Sequence, residues 1–211
     1  MSLRDFTFVM NDISEYAYLL VAAFAFVTWL KFDRFKLLWI FLLLSGGIRV
    51  LTIFLAKEYI NTHPYYHLLG LLELILVYWI YAREDISPKW RYFVPIAILA
   101  YLFNSIFIRS PYEMNSFALA LVQITILSFG INYTYKHYAT TNTVKNTSFF
   151  YISTGFMFYA VGSFFVNLLS SKIVSQSTND FFHNAWVLEA FSALLRLSLI
   201  SYGISYVYRE R

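Results

Sequence analysis

Leu71-Leu72-Glu73-Leu74-Ile75-Leu76-Val77-Tyr78-Trp79-Ile80 sets one carboxylate, Glu73, inside a run that otherwise reads as hydrocarbon solvent. Extended outward, the run covers residues 66–82, and a helix of roughly 17 to 25 apolar residues is what crosses about 30 Å of hydrocarbon. Six more segments of this kind follow the same criterion, at 15–31, 37–60, 90–108, 116–138, 148–169 and 186–208. The connectors are short and carry breaker or polar residues, as in Asn61-Thr62-His63-Pro64, Ile86-Ser87-Pro88-Lys89 and Arg109-Ser110-Pro111-Tyr112. No soluble domain fits between them. The pattern predicts an all-α membrane protein, with residues 1–211 forming a single seven-helix transmembrane domain. Ala23-Phe24-Ala25 imitates a signal-peptidase site, but no positive flank precedes it and the apolar run continues to Leu30. The first segment is therefore expected to be a retained helix.

Composition agrees with lipid as the partner. Of 211 residues, 59% are hydrophobic and 13% charged, against about 25% charged in soluble domains. The 18 Tyr and 22 Phe exceed what a small aqueous core would bury, whereas lipid-facing surfaces and interfacial belts absorb them. The net charge of +4 comes from cations scattered singly between apolar runs, so no basic stripe for nucleic acid exists. With no Cys, disulfides, thiol nucleophiles and cysteine-based metal sites are excluded. No glycine-rich phosphate cradle is present. The seventh segment has no Lys between Trp186 and Tyr208, which excludes a retinal Schiff base at its usual position. Gly46-Gly47, Gly155 and Gly162 are expected to mark close helix contacts.

Loop cations set the expected orientation. One set of ends carries Arg4, Lys57, Arg109 and Lys172. The other carries Lys31, Arg34, Lys36, Arg83, Lys89, Arg91, Lys136, Lys145, Arg209 and Arg211. The N-terminus is thus expected outside and the C-terminus in the cytoplasm, in a bacterial inner membrane.

Two basic residues remain, Arg49 and Arg196, and both fall near the middle of their segments, as Glu73 does. An unpaired central charge costs at least about 2.5 to 3.5 kcal/mol, so Glu73 is expected to face Arg196, Arg49 or both. Glu189 precedes Arg196 by seven residues and shares its helical face. Asn104, Gln123, Asn167 and Glu189 all fall in the outer halves of their segments. Together with Arg49, Glu73 and Arg196 they suggest an outward-facing cavity that closes at the charge layer. Two guanidiniums against one deep carboxylate would leave positive potential for a small polar or anionic ligand. Purely structural pairing between helices two, three and seven is the competing reading.

His63 and His67 have the i, i+4 spacing of paired metal ligands, and His183 lies on the same side. With Glu189 or Asp180 they are candidates for zinc, although Pro64 favours a helix start that leaves His63 in the turn. A metal-dependent lipid hydrolase would need such a cluster.

Segments one to three and five to seven share a layout, compatible with a three-plus-one-plus-three parallel repeat like that of small sugar transporters. The chain also resembles an uncharacterised bacterial seven-helix membrane family related to input modules of histidine kinases. The likeness rests on Leu71–Leu76, on Phe103-Asn104-Ser105-Ile106-Phe107, on Tyr159-Ala160-Val161-Gly162-Ser163-Phe164-Phe165, and on Leu195-Arg196-Leu197-Ser198-Leu199-Ile200-Ser201-Tyr202-Gly203. The resemblance implies a sensory role. Because the sequence ends at Arg211, just after segment seven, output is expected through a separate cytoplasmic signalling partner. The expectations are a receptor-like binding protein first, then a small-solute or proton-coupled transporter, then the hydrolase.

Overall fold

The computed structural model describes residues 3–84, 89–108, 110, 112–113, 115–141, 147–175 and 180–209, with backbone alone at 3–4, 91, 140–141, 170–175 and 180–183. Among the described residues there is no strand. Seven α-helices follow one another: α1 Leu3–Trp29, α2 Lys36–Lys57, α3 His63–Arg83, α4 Trp90–Phe103, α5 Ser116–Thr141, α6 Ser148–Ser175 and α7 Asp180–Tyr206. A single 3-10 turn, Asp33–Phe35, leads into α2, and a π turn, Asn104–Ile108, ends α4. Five stretches are long and apolar enough to cross a membrane: Asp33–Lys57, His63–Arg83, Ser116–Ala139, Ser148–Leu169 and Asn184–Tyr206. α1 and α4 are not among them.

The largest departure from the sequence expectation is α1, which begins at Leu3 instead of residue 15. Asp5 and Asp12 break the apolar window there, but a helix needs only one coherent face. On α1 the inward face is polar: Thr7, Ser14 and Tyr18 are buried, and Asn11 and Glu15 line a cavity. Val9, Ile13 and Leu20 point outward and are exposed. This reverses the polarity of a water-soluble helix.

Packing makes a closed ring in the order α1, α2, α3, α5, α6, α7 and back to α1. α4 lies outside it, against α3 and α5. Glycines set the closest approaches. A Cβ on Gly155 would meet the Arg196 carbonyl oxygen at 2.9 Å, and one on Gly203 would meet the Ser148 carbonyl oxygen at 2.6 Å, so the α6 and α7 backbones touch. Gly46 is pressed against Tyr18 and Leu19 of α1, while a Cβ on Gly47 would meet nothing within 4 Å; the expected contact at Gly47 is therefore absent. α2 ends in a Schellman motif, with Ile60 N–H donating to Leu55 C=O at 3.0 Å and Tyr59 N–H to Ala56 C=O at 3.1 Å. Tyr59 occupies the left-handed position, φ 58°, where glycine is usual.

Along its length the ring divides into two halves. The half holding the C-terminus of α1 and the N-terminus of α2 is filled by aromatic side chains, with Phe41, Tyr81, Phe129, Phe149 and Phe156 stacked in edge and tilted contacts. The Tyr81 hydroxyl there is satisfied by Ser153 Oγ at 2.8 Å. The opposite half is hollow.

Candidate ligand cavity and its charged floor

Two adjoining lobes of about 480 and 520 Å³ occupy the hollow half. Both are lined by Phe8, Asn11, Arg49, Thr62, Tyr66, Trp186 and Glu189. The first lobe adds Asp12, Glu15, Thr52 and Lys57. Asp12 and Lys57 are exposed, so this lobe reaches the surface. The second lobe runs towards α3, α5 and α6, where it meets Glu73, Gln123, Tyr159 and Asn167. Such volumes are in the usual range for small-molecule sites.

Charged side chains form the floor. Arg196 Nη1 donates to Glu73 Oε1 at 2.5 Å, joining α7 to α3. This is one of the pairings that the sequence allowed. Arg49 is committed elsewhere: its Nη1 donates to Glu15 Oε1 of α1 at 3.0 Å. Glu73 takes its remaining bond from Gln123 Nε2 at 3.4 Å.

Two tyrosines knit the pairs into one network. Arg49 Nη2 donates to the Tyr159 hydroxyl at 3.0 Å, while the Arg196 guanidinium lies 3.5 Å from the centroid of the same ring. Arg196 Nη2 donates to the Tyr18 hydroxyl, and the Arg49 guanidinium lies 4.9 Å from the Tyr18 ring centroid. Phe41 and Phe156 flank Arg196 at 5.7 and 5.9 Å. Arg196 is 0% exposed. The delocalised, weakly hydrated guanidinium is the cation best suited to such a box, and a desolvated cation–π contact is worth about 2 kcal/mol or more.

Seven site residues were expected from sequence. Arg49, Glu73, Gln123, Asn167 and Glu189 meet at the cavity. Arg196 lies behind its wall, where it anchors Glu73. Asn104 does not join them. It is buried in the π turn of α4, outside the ring, because depth along a helix says nothing about which way that helix faces.

Sequence reasoning missed Glu15, Tyr18, Tyr66, Tyr159 and Trp186. The signal for the first two was the polar spacing Thr7, Asn11, Ser14, Glu15, Tyr18 at steps of three and four. Glu15 also changes the charge balance. With Glu73 and Glu189 it makes three carboxylates against two guanidiniums, so the spare positive potential expected for an anion is not there.

Among the described residues His63 and His67 do not gather a third metal-ligating side chain. His67 Nε2 lies 3.0 Å from the Glu113 carbonyl oxygen, and His63 borders the second lobe. The side chains of Asp180 and His183 lie outside the described residues. Among the described residues no three His, Cys, Asp or Glu side chains form a group fit for a metal ion. Comparison with protein-family models, with curated proteins and with solved structures finds no match for this chain.

Proposed function

We propose that this chain is a receptor-like integral membrane protein, with all seven helices crossing a bacterial inner membrane, that captures a small polar ligand from the outside and signals to a cytoplasmic partner. The observation that carries the proposal is a cavity at one end of the bundle whose floor is a charge network joining α1, α2, α3, α6 and α7. A ligand that displaces one member of this network alters contacts on five helices together. Only a ligand with different affinity for two packings shifts their balance, and polar contacts to a buried ion pair supply such a difference. The aromatic half below supports reception over conduction, since Phe41, Tyr81, Phe129, Phe149 and Phe156 fill it. Outward-facing apolar residues on α1 and α4, among them Leu20, Ile96 and Leu99, favour their lying in lipid with the other five. Loop cations favour the N-terminus outside, and the resemblance to kinase input modules favours signalling.

Transport is the second reading, and it has its own support. The ring maps onto itself when α1, α2 and α3 are exchanged for α5, α6 and α7, with α4 as the link, as in transporters built from parallel repeats.

The protein has no cysteine, so single cysteines report cleanly. Ser45→Cys and Ser153→Cys sit in the closed half, and both positions are buried. A receptor leaves them unreactive to a membrane-impermeant maleimide applied from the cytoplasmic side of inside-out vesicles. Reaction there, together with solute uptake that vanishes in Glu73→Gln, would replace reception by alternating access.

A further inference from the structure

We infer that the cavity's ligand is a small organic cation, of the ammonium class; this deepens the reading above and rests on the cavity being a ligand site. The floor carries more acceptors than it can satisfy. Both guanidiniums are engaged, Arg196 by Glu73 and Tyr18, Arg49 by Glu15 and Tyr159. Glu189 lines both lobes, yet neither of the two guanidiniums is bonded to it, and its Oε2 is buried without a hydrogen-bond partner. Glu15 Oε2 is in the same condition. Gln123 is an independent witness: it is only 3% exposed, lines the second lobe, and its Oε1 also has no partner. Among the described residues the lining sets two buried donors, Arg49 Nε and the Trp186 indole N–H, against these three acceptor oxygens.

A buried acceptor left empty costs about 1 to 3 kcal/mol, so a donor-rich, positively charged guest is the species the lining is short of. An ammonium group brings up to three donors and no acceptor. The walls fit the same guest. Phe8, Tyr66 and Trp186 border both lobes, and aromatic faces attract cations within about 6 Å. At the rim, exposed Lys57 and Asp12 offset each other, and His63 at the edge of the second lobe is the remaining basic group among the described lining residues. Neither reverses the excess of carboxylate deeper in.

The test uses three probes of one size and different charge, benzylammonium, benzyl alcohol and benzoate, titrated calorimetrically into the full chain in nanodiscs against empty nanodiscs. Benzylammonium is expected to bind at least about tenfold more tightly than the other two, since one charge-assisted contact of about 1.4 kcal/mol is that factor. The advantage is expected to shrink to about threefold or less in Glu189→Gln. Equal binding of all three, or a preference for benzoate, overturns the cation inference and leaves the ligand cavity standing. No binding by any of the three at millimolar concentration overturns the cavity reading itself. The ranking in the unaltered chain decides the sign without a variant, so a misfolded Glu189→Gln protein does not blunt the test. An undiminished preference in a folded one removes Glu189 from the site.

Discussion

Removing the guanidinium of Arg196 exposes most of what the charged floor contributes. In Arg196→Met the aliphatic bulk is kept, but Glu73 loses its 2.5 Å partner and retains only the 3.4 Å contact from Gln123. A buried carboxylate so stranded costs about 3 to 5 kcal/mol, a large share of a total stability of about 5 to 15 kcal/mol. Glu73→Gln strands Arg196 instead, although Tyr18 and the ring of Tyr159 still hold it, so about 2 to 4 kcal/mol is expected. The double variant removes both charges and is expected to recover about 2 kcal/mol or more relative to the sum of the singles. That figure decides between readings, because ordinary hydrogen bonds between transmembrane helices couple by about 0.6 and at most about 1.7 kcal/mol. Reversible unfolding in mixed micelles, followed by helical circular dichroism, gives the three free energies. Additive singles, with coupling below about 0.5 kcal/mol, would refute the claim that the pair is a unit.

Six other substitutions follow from particular contacts. Glu189→Gln is expected to leave stability unchanged or raise it by up to about 1 kcal/mol, because no guanidinium is bonded to that carboxylate, while Glu15→Gln lowers it by about 1 to 3 kcal/mol by stranding Arg49; the same unfolding assay compares them, and equal losses would contradict the difference in pairing. Tyr159→Phe keeps the ring under Arg196 and deletes the hydroxyl bonded to Arg49, so a loss of about 1.5 to 3 kcal/mol is expected by denaturant titration. Gly155→Ala is expected to cost about 1 to 3 kcal/mol through its clash with the α7 backbone, whereas Gly47→Ala, facing open space, gains up to about 1 kcal/mol; thermal melts in opposite directions check the pair. Tyr59→Gly relieves a left-handed residue that is 98% exposed and is expected to raise the melting temperature by the equivalent of about 1 kcal/mol.

How much of this was legible in the sequence depends on which physical term set each feature. The cost of charge in hydrocarbon is so large that Glu73 and Arg196 had to find partners, and their depths matched. The same reasoning placed Arg49 at the floor but assigned no acid of α1, because the first segment was drawn from residue 15 and Glu15 fell at its edge. A hydropathy window discards the first twelve residues of α1 for their acids, whereas the folded helix uses those polar residues as its inner face. The position of α4 outside the ring was invisible for a different reason. Segment boundaries give depth, and packing partners come from azimuth, which a nearly uniform apolar helix such as α4 does not encode. Asn104 was misplaced by that gap. Gly155 and Gly47 read alike as letters, yet only Gly155 has a backbone across from it.

The central claim is a cavity open to one side and sealed at the charged layer, and α3 carries a direct measurement of it. Tyr66 and Val77 lie eleven residues apart on the same helical face, above and below Glu73, with Tyr66 lining both lobes and Val77 fully buried. In intact cells, a membrane-impermeant maleimide is expected to label Tyr66→Cys and to leave Val77→Cys untouched, and in inside-out vesicles to label neither. Labelling of Val77→Cys from either side, or of Tyr66→Cys only from the cytoplasmic side, would contradict the account.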